Sequence, residues 1–157
     1  MWKKWKPYVI SVLIALGVGA LSAFLSRNNM DLYSDIVLPP LAPPSILFPI
    51  VWTILYILMG ISAAIVYQNR EKDPDAAQNG LISYALSLAV NFFWSLIFFN
   101  LRAYLFAFIW LLCLLFLILR TIFFYRKVSP PAAILQIPYT VWVIFAGYLN
   151  LAITLLN

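Results

Sequence analysis

Charged residues thin out over five long stretches of this chain and gather in the short segments between them. The apolar runs cover approximately residues 8–25, 46–67, 81–99, 103–119 and 132–156. Each approaches or exceeds the ~20 residues that a helix needs to cross a hydrocarbon layer. Lipid offers no water to backbone groups, so only helices and closed barrels cross it, and these runs lack the alternation of a barrel strand. Tyrosine and tryptophan near several run ends suit anchoring at the headgroups. The pattern predicts an all-α membrane protein: one five-helix transmembrane domain over residues 1–157, with the lipid bilayer as its first partner.

The connections differ in character. Ser26 to Ser45 is the longest, and it carries Pro39, Pro40, Pro43 and Pro44. Prolines lack an N–H and restrain the residue before them, so this stretch is stiff and non-helical. About twenty residues without secondary structure in a compact protein predict a functional lid. Residues Gln68 to Gly80 read as a solvated turn in which Asp75 or Asn79 caps the next helix. Asn100–Ala103 is tight, making the third and fourth helices antiparallel neighbours. The fourth connection holds Arg120, Arg126 and Lys127 and ends in Ser129-Pro130-Pro131, with Pro131 in the first turn of the last helix. Pro138 lies inside the last run and predicts a kink.

Composition agrees: 65% of the 157 residues are hydrophobic and 10% charged, against about 25% charged in soluble domains. The net charge of +5 is informative through its placement. Lys3, Lys4, Lys6, Arg70, Lys72, Arg120, Arg126 and Lys127 fall on one set of run ends, leaving Arg27 and Arg102 on the other. The positive-inside rule then puts the N-terminus and the second and fourth connections in the cytoplasm, with the first connection and the C-terminus outside. Charges scattered over loop ends form a headgroup belt, so no nucleic-acid partner is expected. Lysines before an apolar core also fit a signal peptide, but the first run is long and Ser22-Ala23-Phe24 is a poor cleavage site, which favours a retained helix. Trp2 and Trp5 read as interfacial anchors. The single cysteine, Cys113, allows no internal disulfide and reads as a buried packing residue. Histidine is absent, which removes the commonest metal ligand and general base; no metal site is expected.

No Asp, Glu, Lys or Arg falls in the middle of a run. Arg120 lies near a run end, where it reaches the interface. Asp31 and Asp35 read as solvated lid charges. Coupled pumps and carriers usually show an intramembrane acid, so that class is disfavoured. Aromatic and amide side chains remain. Trp52 and Tyr56, four apart, share a helix face, as do Asn91 and Trp94, and as do Trp142, Ala146, Leu149 and Asn150. Three such faces could line a pocket for a flat, mostly apolar ligand. The same residues read equally as packing aromatics and as asparagines tying helices together. Ala85 and Ala89 form a small-xxx-small pair that would suit a dimer seam.

Several motifs occur together. Tyr33, Pro39 and Pro43-Pro44 are followed by Trp52, Leu55, Tyr56, Met59 and Gly60. Asn91 and Trp94 precede Phe98-Phe99 and Arg102. Ser129-Pro130 leads to Pro138-Tyr139, Trp142, Phe145-Ala146 and Leu149-Asn150. This ordered set, from Tyr33 to Asn150, resembles the TspO/MBR family, the tryptophan-rich sensory proteins that include the translocator protein. The resemblance implies a five-helix bundle, often a homodimer, with a pocket closed by the first connection, in a bacterial cell membrane. It implies a ligand-binding set of Tyr33, Pro43, Trp52, Tyr56, Asn91, Trp94, Trp142, Ala146, Leu149 and Asn150. The chain departs from the family at Leu38, where a lysine is frequent, and at Leu41, Phe92 and Phe106, where the family has tryptophan. Leu151, with no basic residue after it, replaces the tyrosine of the animal cholesterol motif.

The function that the resemblance implies is a receptor or sensor for a tetrapyrrole such as protoporphyrin IX, held as ligand or substrate, with no cofactor required. Light-dependent porphyrin degradation, with Trp52 and Trp142 as its catalytic residues, is a second expectation. It would borrow its reactivity from the ligand, since no conventional catalytic apparatus is visible. A transporter or channel for small hydrophobic molecules such as porphyrins or sterols is the alternative, and a scaffold the blandest reading.

Overall fold

The computed structural model describes residues 2–29 and 31–157, the side chain of Trp2 excepted, so its anchoring role lies outside the described residues. The helices are α1 (Trp2–Ser26), α2 (Leu32–Asp35), α3 (Leu47–Gln68), α4 (Pro74–Ser95), α5 (Tyr104–Val128), α6 (Pro130–Leu135) and α7 (Ile137–Leu156). Counting α6 and α7 together, five segments are long and apolar enough to cross a membrane.

Helix boundaries move outward from the predicted runs wherever charge hid helical residues. α4 begins at Pro74, because Asp73 caps it by accepting the Ala76 N–H at 3.2 Å. Proline at the first helical position sacrifices an N–H that has no partner anyway. Asp75 and Asn79, the expected caps, lie inside the helix. α5 continues past Leu119 to Val128, so Arg120, Arg126 and Lys127 belong to a helix and not to a loop. Cations in a last turn complement its exposed carbonyls, and Lys127 Nζ sits 4.4 Å from the Phe123 ring. Arg120 is held by more than an interface, since its Nε donates to Ser83 Oγ on α4 at 3.0 Å. Cys113 faces outward from α5, correcting the expectation of a buried thiol. α4 ends in a wider π turn at Leu96–Asn100, and Arg102 takes a left-handed conformation (φ 52°) in the tight turn before α5.

α1 packs on α3 and α4, α4 lies along α5, and α5 holds α6 and α7, which return to α3. The α1–α3 approach depends on two glycines. A Cβ on Gly60 would lie 2.5 Å from the Val12 backbone, and one on Gly19 would penetrate the Tyr56 ring. The core runs through Met59, Val66, Leu114, Ile118, Tyr125 and Tyr139, while Leu13, Phe116, Val141 and similar side chains point outward. An apolar exterior is what hydrocarbon surroundings require.

Proline decides the last segment. The helix stops at Leu135, turns at Gln136 and restarts at Ile137 with Pro138 in its first turn. The expected kink is therefore a full break. Below it α6 is bound to α3: Ser62 Oγ donates to Ala132 O at 2.7 Å, and Gln136 Nε2 donates to Ser62 Oγ at 3.3 Å.

The first connection is less bare than its prolines suggest. It contains a 3-10 turn at Arg27–Asn29 and the short α2, whose Leu32 is buried against Ile97, Phe98, Ala107 and Ile153. The following extended stretch is strapped to α7. Val37 donates its N–H to Asn157 Oδ1 and accepts from Asn157 Nδ2, both at 3.1 Å. Tyr148 Oη donates to Pro40 O at 2.6 Å, and Tyr33 Oη donates to Pro43 O. Leu41, with φ 69°, turns the chain between the proline pairs and is largely exposed.

Candidate functional site

The predicted site residues meet in three sets around α7. Nearest the first connection, Tyr33 lies edge-on to Phe48 with ring centroids 5.2 Å apart, and Phe48 meets Trp142 edge-on at 5.8 Å. Pro43 joins this set through the Tyr33 hydroxyl. Partial burial raises the Tyr33 pKa above its ordinary value, because water is withdrawn from the phenolate more than from the phenol. Deeper in the bundle, Trp52 packs on Tyr56 at 5.6 Å and on Tyr139 at 6.3 Å. Their helical spacing puts Phe48, Trp52 and Tyr56 on one stripe of α3.

Asn91 and Trp94, three apart on α4, serve different helices. Asn91 Nδ2 donates to Tyr56 Oη on α3 at 3.1 Å. Trp94 Nε1 donates to Asn150 Oδ1 on α7 at 3.1 Å, and Asn150 Nδ2 donates to the Tyr104 carbonyl at 2.8 Å. Both asparagines are buried and hydrogen-bonded, as an amide in apolar surroundings must be. Their amides tie helices together, one of the two sequence readings. Ala146 and Leu149 are buried beside Asn150 on the inner face of α7.

Phe48 and Tyr139 are contact residues outside the predicted set. The signal was present: Phe48 precedes Trp52 by four positions and Tyr139 precedes Trp142 by three. Trp110 donates to the Val90 carbonyl at 2.7 Å and so braces α5 against α4. Trp142 Nε1 is buried without a hydrogen-bond partner.

The named side chains are uncharged, so the arrangement offers ring faces, phenol groups and, at Trp142, a buried indole N–H without a partner. It suits holding a flat apolar molecule by dispersion and stacking. Proton transfer by a tuned acid or base has no support among them.

Similarity to known proteins agrees with this architecture. The model of the TspO/MBR family matches residues 10–156. A tryptophan-rich protein TspO from Chlorobaculum tepidum is 36% identical over 148 residues, covering 94% of this chain and 92% of the relative. A protein of the same name from Archaeoglobus fulgidus is 32% identical, with 95% of each chain covered. The sheep translocator protein is also 32% identical, over 93% of this chain and 87% of its own. With five membrane-length helices and a family match over nearly its whole length, the chain is an integral membrane protein that belongs to the TspO/MBR family.

Proposed function

We propose that this protein is a membrane receptor or sensor that binds a tetrapyrrole, such as protoporphyrin IX, among the aromatic side chains of α3, α4 and α7 beneath the first connection. The observation that carries the reading is the convergence of Trp52, Tyr56, Tyr139, Phe48 and Trp142 on one seam capped by Tyr33 and Pro43. Binding would draw on apolar burial at about 25 cal/mol per Å² and on ring pairing at about 0.5–1.5 kcal/mol per pair. Without histidine, a free-base ring is favoured over a His-ligated haem. Asn91 and Asn150 act in this reading by holding Tyr56 and Trp94 in place.

The proposal includes an orientation and an assembly. Lysine and arginine placement puts the α3–α4 and α5–α6 turns in the cytoplasm and the first connection outside. Ala85 and Ala89, outward on α4, supply the seam for a homodimer.

The test is a titration of purified protein with protoporphyrin IX, following tryptophan quenching in the dark and porphyrin absorbance in the light. Saturable quenching with stable absorbance is expected of a receptor. Light-dependent loss above a protein-free control would make it an enzyme, and Trp52→Phe and Trp142→Phe would then abolish the loss. Absence of saturable quenching would overturn the binding reading, and flux into proteoliposomes would then test the transporter alternative.

A further inference from the structure

We infer that the site is loaded sideways from the bilayer, through the seam between α3 and α7, with the Trp142 indole as its gate. The inference rests on the receptor reading above and adds the route and the source of the ligand. On the outer face of the bundle an apolar groove of about 430 Å³ opens between the two helices. Ile54 and Leu58 form one wall, and Pro138, Val141 and Trp142 the other. The groove follows from the helix break. α3 is hydrogen-bonded to α6 below Gln136 but touches α7 only sparingly above it.

Trp142 belongs to both sides of this wall. It lines the outer groove, and it meets Phe48 on the lid side of the seam. Its indole is also held differently from two others. Trp94 and Trp110 each donate to an oxygen of another helix, at 3.1 and 2.7 Å, whereas Trp142 Nε1 has no partner. Rotating Trp142 therefore breaks packing but no hydrogen bond.

Entry from the aqueous side meets more resistance. It requires parting both Val37–Asn157 bonds, the Tyr148–Pro40 bond and the Tyr33–Pro43 bond, and disturbing buried Leu32. The lateral route breaks none of these. A ligand taken this way is a ring dissolved in hydrocarbon, with few enough charges to partition there. A ring carrying many carboxylates would stay in water and load poorly.

The experiment measures association and dissociation of protoporphyrin IX in proteoliposomes by stopped-flow tryptophan quenching. Ile54 and Val141 both face outward, so the double variant Ile54→Phe/Val141→Phe adds bulk to the groove without adding an indole. Lateral loading predicts that both rate constants fall by the same factor, about tenfold for ~1.4 kcal/mol of added barrier, with Kd unchanged. The strap variant Asn157→Ala/Tyr148→Phe should leave both rates as in the parent. Unchanged rates in the groove variant with faster association in the strap variant would overturn the route. So would a groove variant that weakens Kd through dissociation alone. A second measurement uses the parent protein: diluting the buffer at fixed ligand-to-lipid ratio leaves the rate unchanged for bilayer loading and lowers it for aqueous loading. No saturable quenching in the parent would sink the receptor reading itself, an outcome distinct from a wrong route.

Discussion

α3 meets the last membrane segment twice, and the two meetings are built on opposite principles. Below Gln136, small side chains let α6 come close, and Ser62, Ala132 and Gln136 bond across the contact. Above it, large rings from α3 and α7 touch edge to face, no side-chain hydrogen bond joins the pair, and the outer edge is parted. Hydrogen bonds are directional and intolerant of displacement, whereas ring contacts can slide and reform. One helix thus carries a fixed joint and an adaptable one, separated by the break before Pro138.

Overpacking the fixed joint should have the largest effect. Ser62→Leu forces a branched chain into a fully buried site, which should cost about 1–3 kcal/mol and lower the melting temperature in detergent. If that variant melts like the parent, the joint is not rigid. Next in size, Trp94→Phe leaves the buried Asn150 Oδ1 without its donor, a loss of about 1–3 kcal/mol. Trp142→Phe loses no hydrogen bond, so its melting temperature should fall less than that of Trp94→Phe while its porphyrin affinity falls more. Equal losses in both would erase the distinction between a braced and an unbraced indole.

Asn157→Ala removes two bonds to the Val37 backbone, worth about 0.5–1.5 kcal/mol each at most. It should raise hydrogen exchange at Val37 and leave α3 amides protected. The smallest effect is a titration. The Tyr33 pKa is raised by burial, so its contribution is complete below the ordinary tyrosine pKa, near 10, and is lost as pH rises through the higher folded value. The phenolate can no longer donate to Pro43, and hydrogen exchange in the first connection should rise in that alkaline range. A Tyr33→Phe variant should show no such rise.

Much of this was legible one residue at a time. Tyr56 and Trp52 share a stripe because they are four apart, and Pro138, having no N–H, marked where the last segment is disturbed, though as a kink and not the break the structure shows. Other features depended on distant partners. Arg120 looked like a loop residue because charge ends a hydropathy run, although Ser83 on the neighbouring helix accepts a hydrogen bond from it. Cys113 looked buried because its run is apolar, but in a lipid-facing bundle apolar side chains point both ways.

The amino-acid sequence by itself determined the five membrane segments, the proline-rich first connection and the membership of the family. These depend on local properties: hydropathy over a helix length, proline stereochemistry and motif order. Tertiary structure alone decided which asparagine holds which aromatic ring, that Asn157 and Tyr148 strap the first connection, and that α3 and α7 part above Gln136. Those outcomes depend on how two helix surfaces far apart in the chain meet, and hydropathy does not encode the angle at which they do.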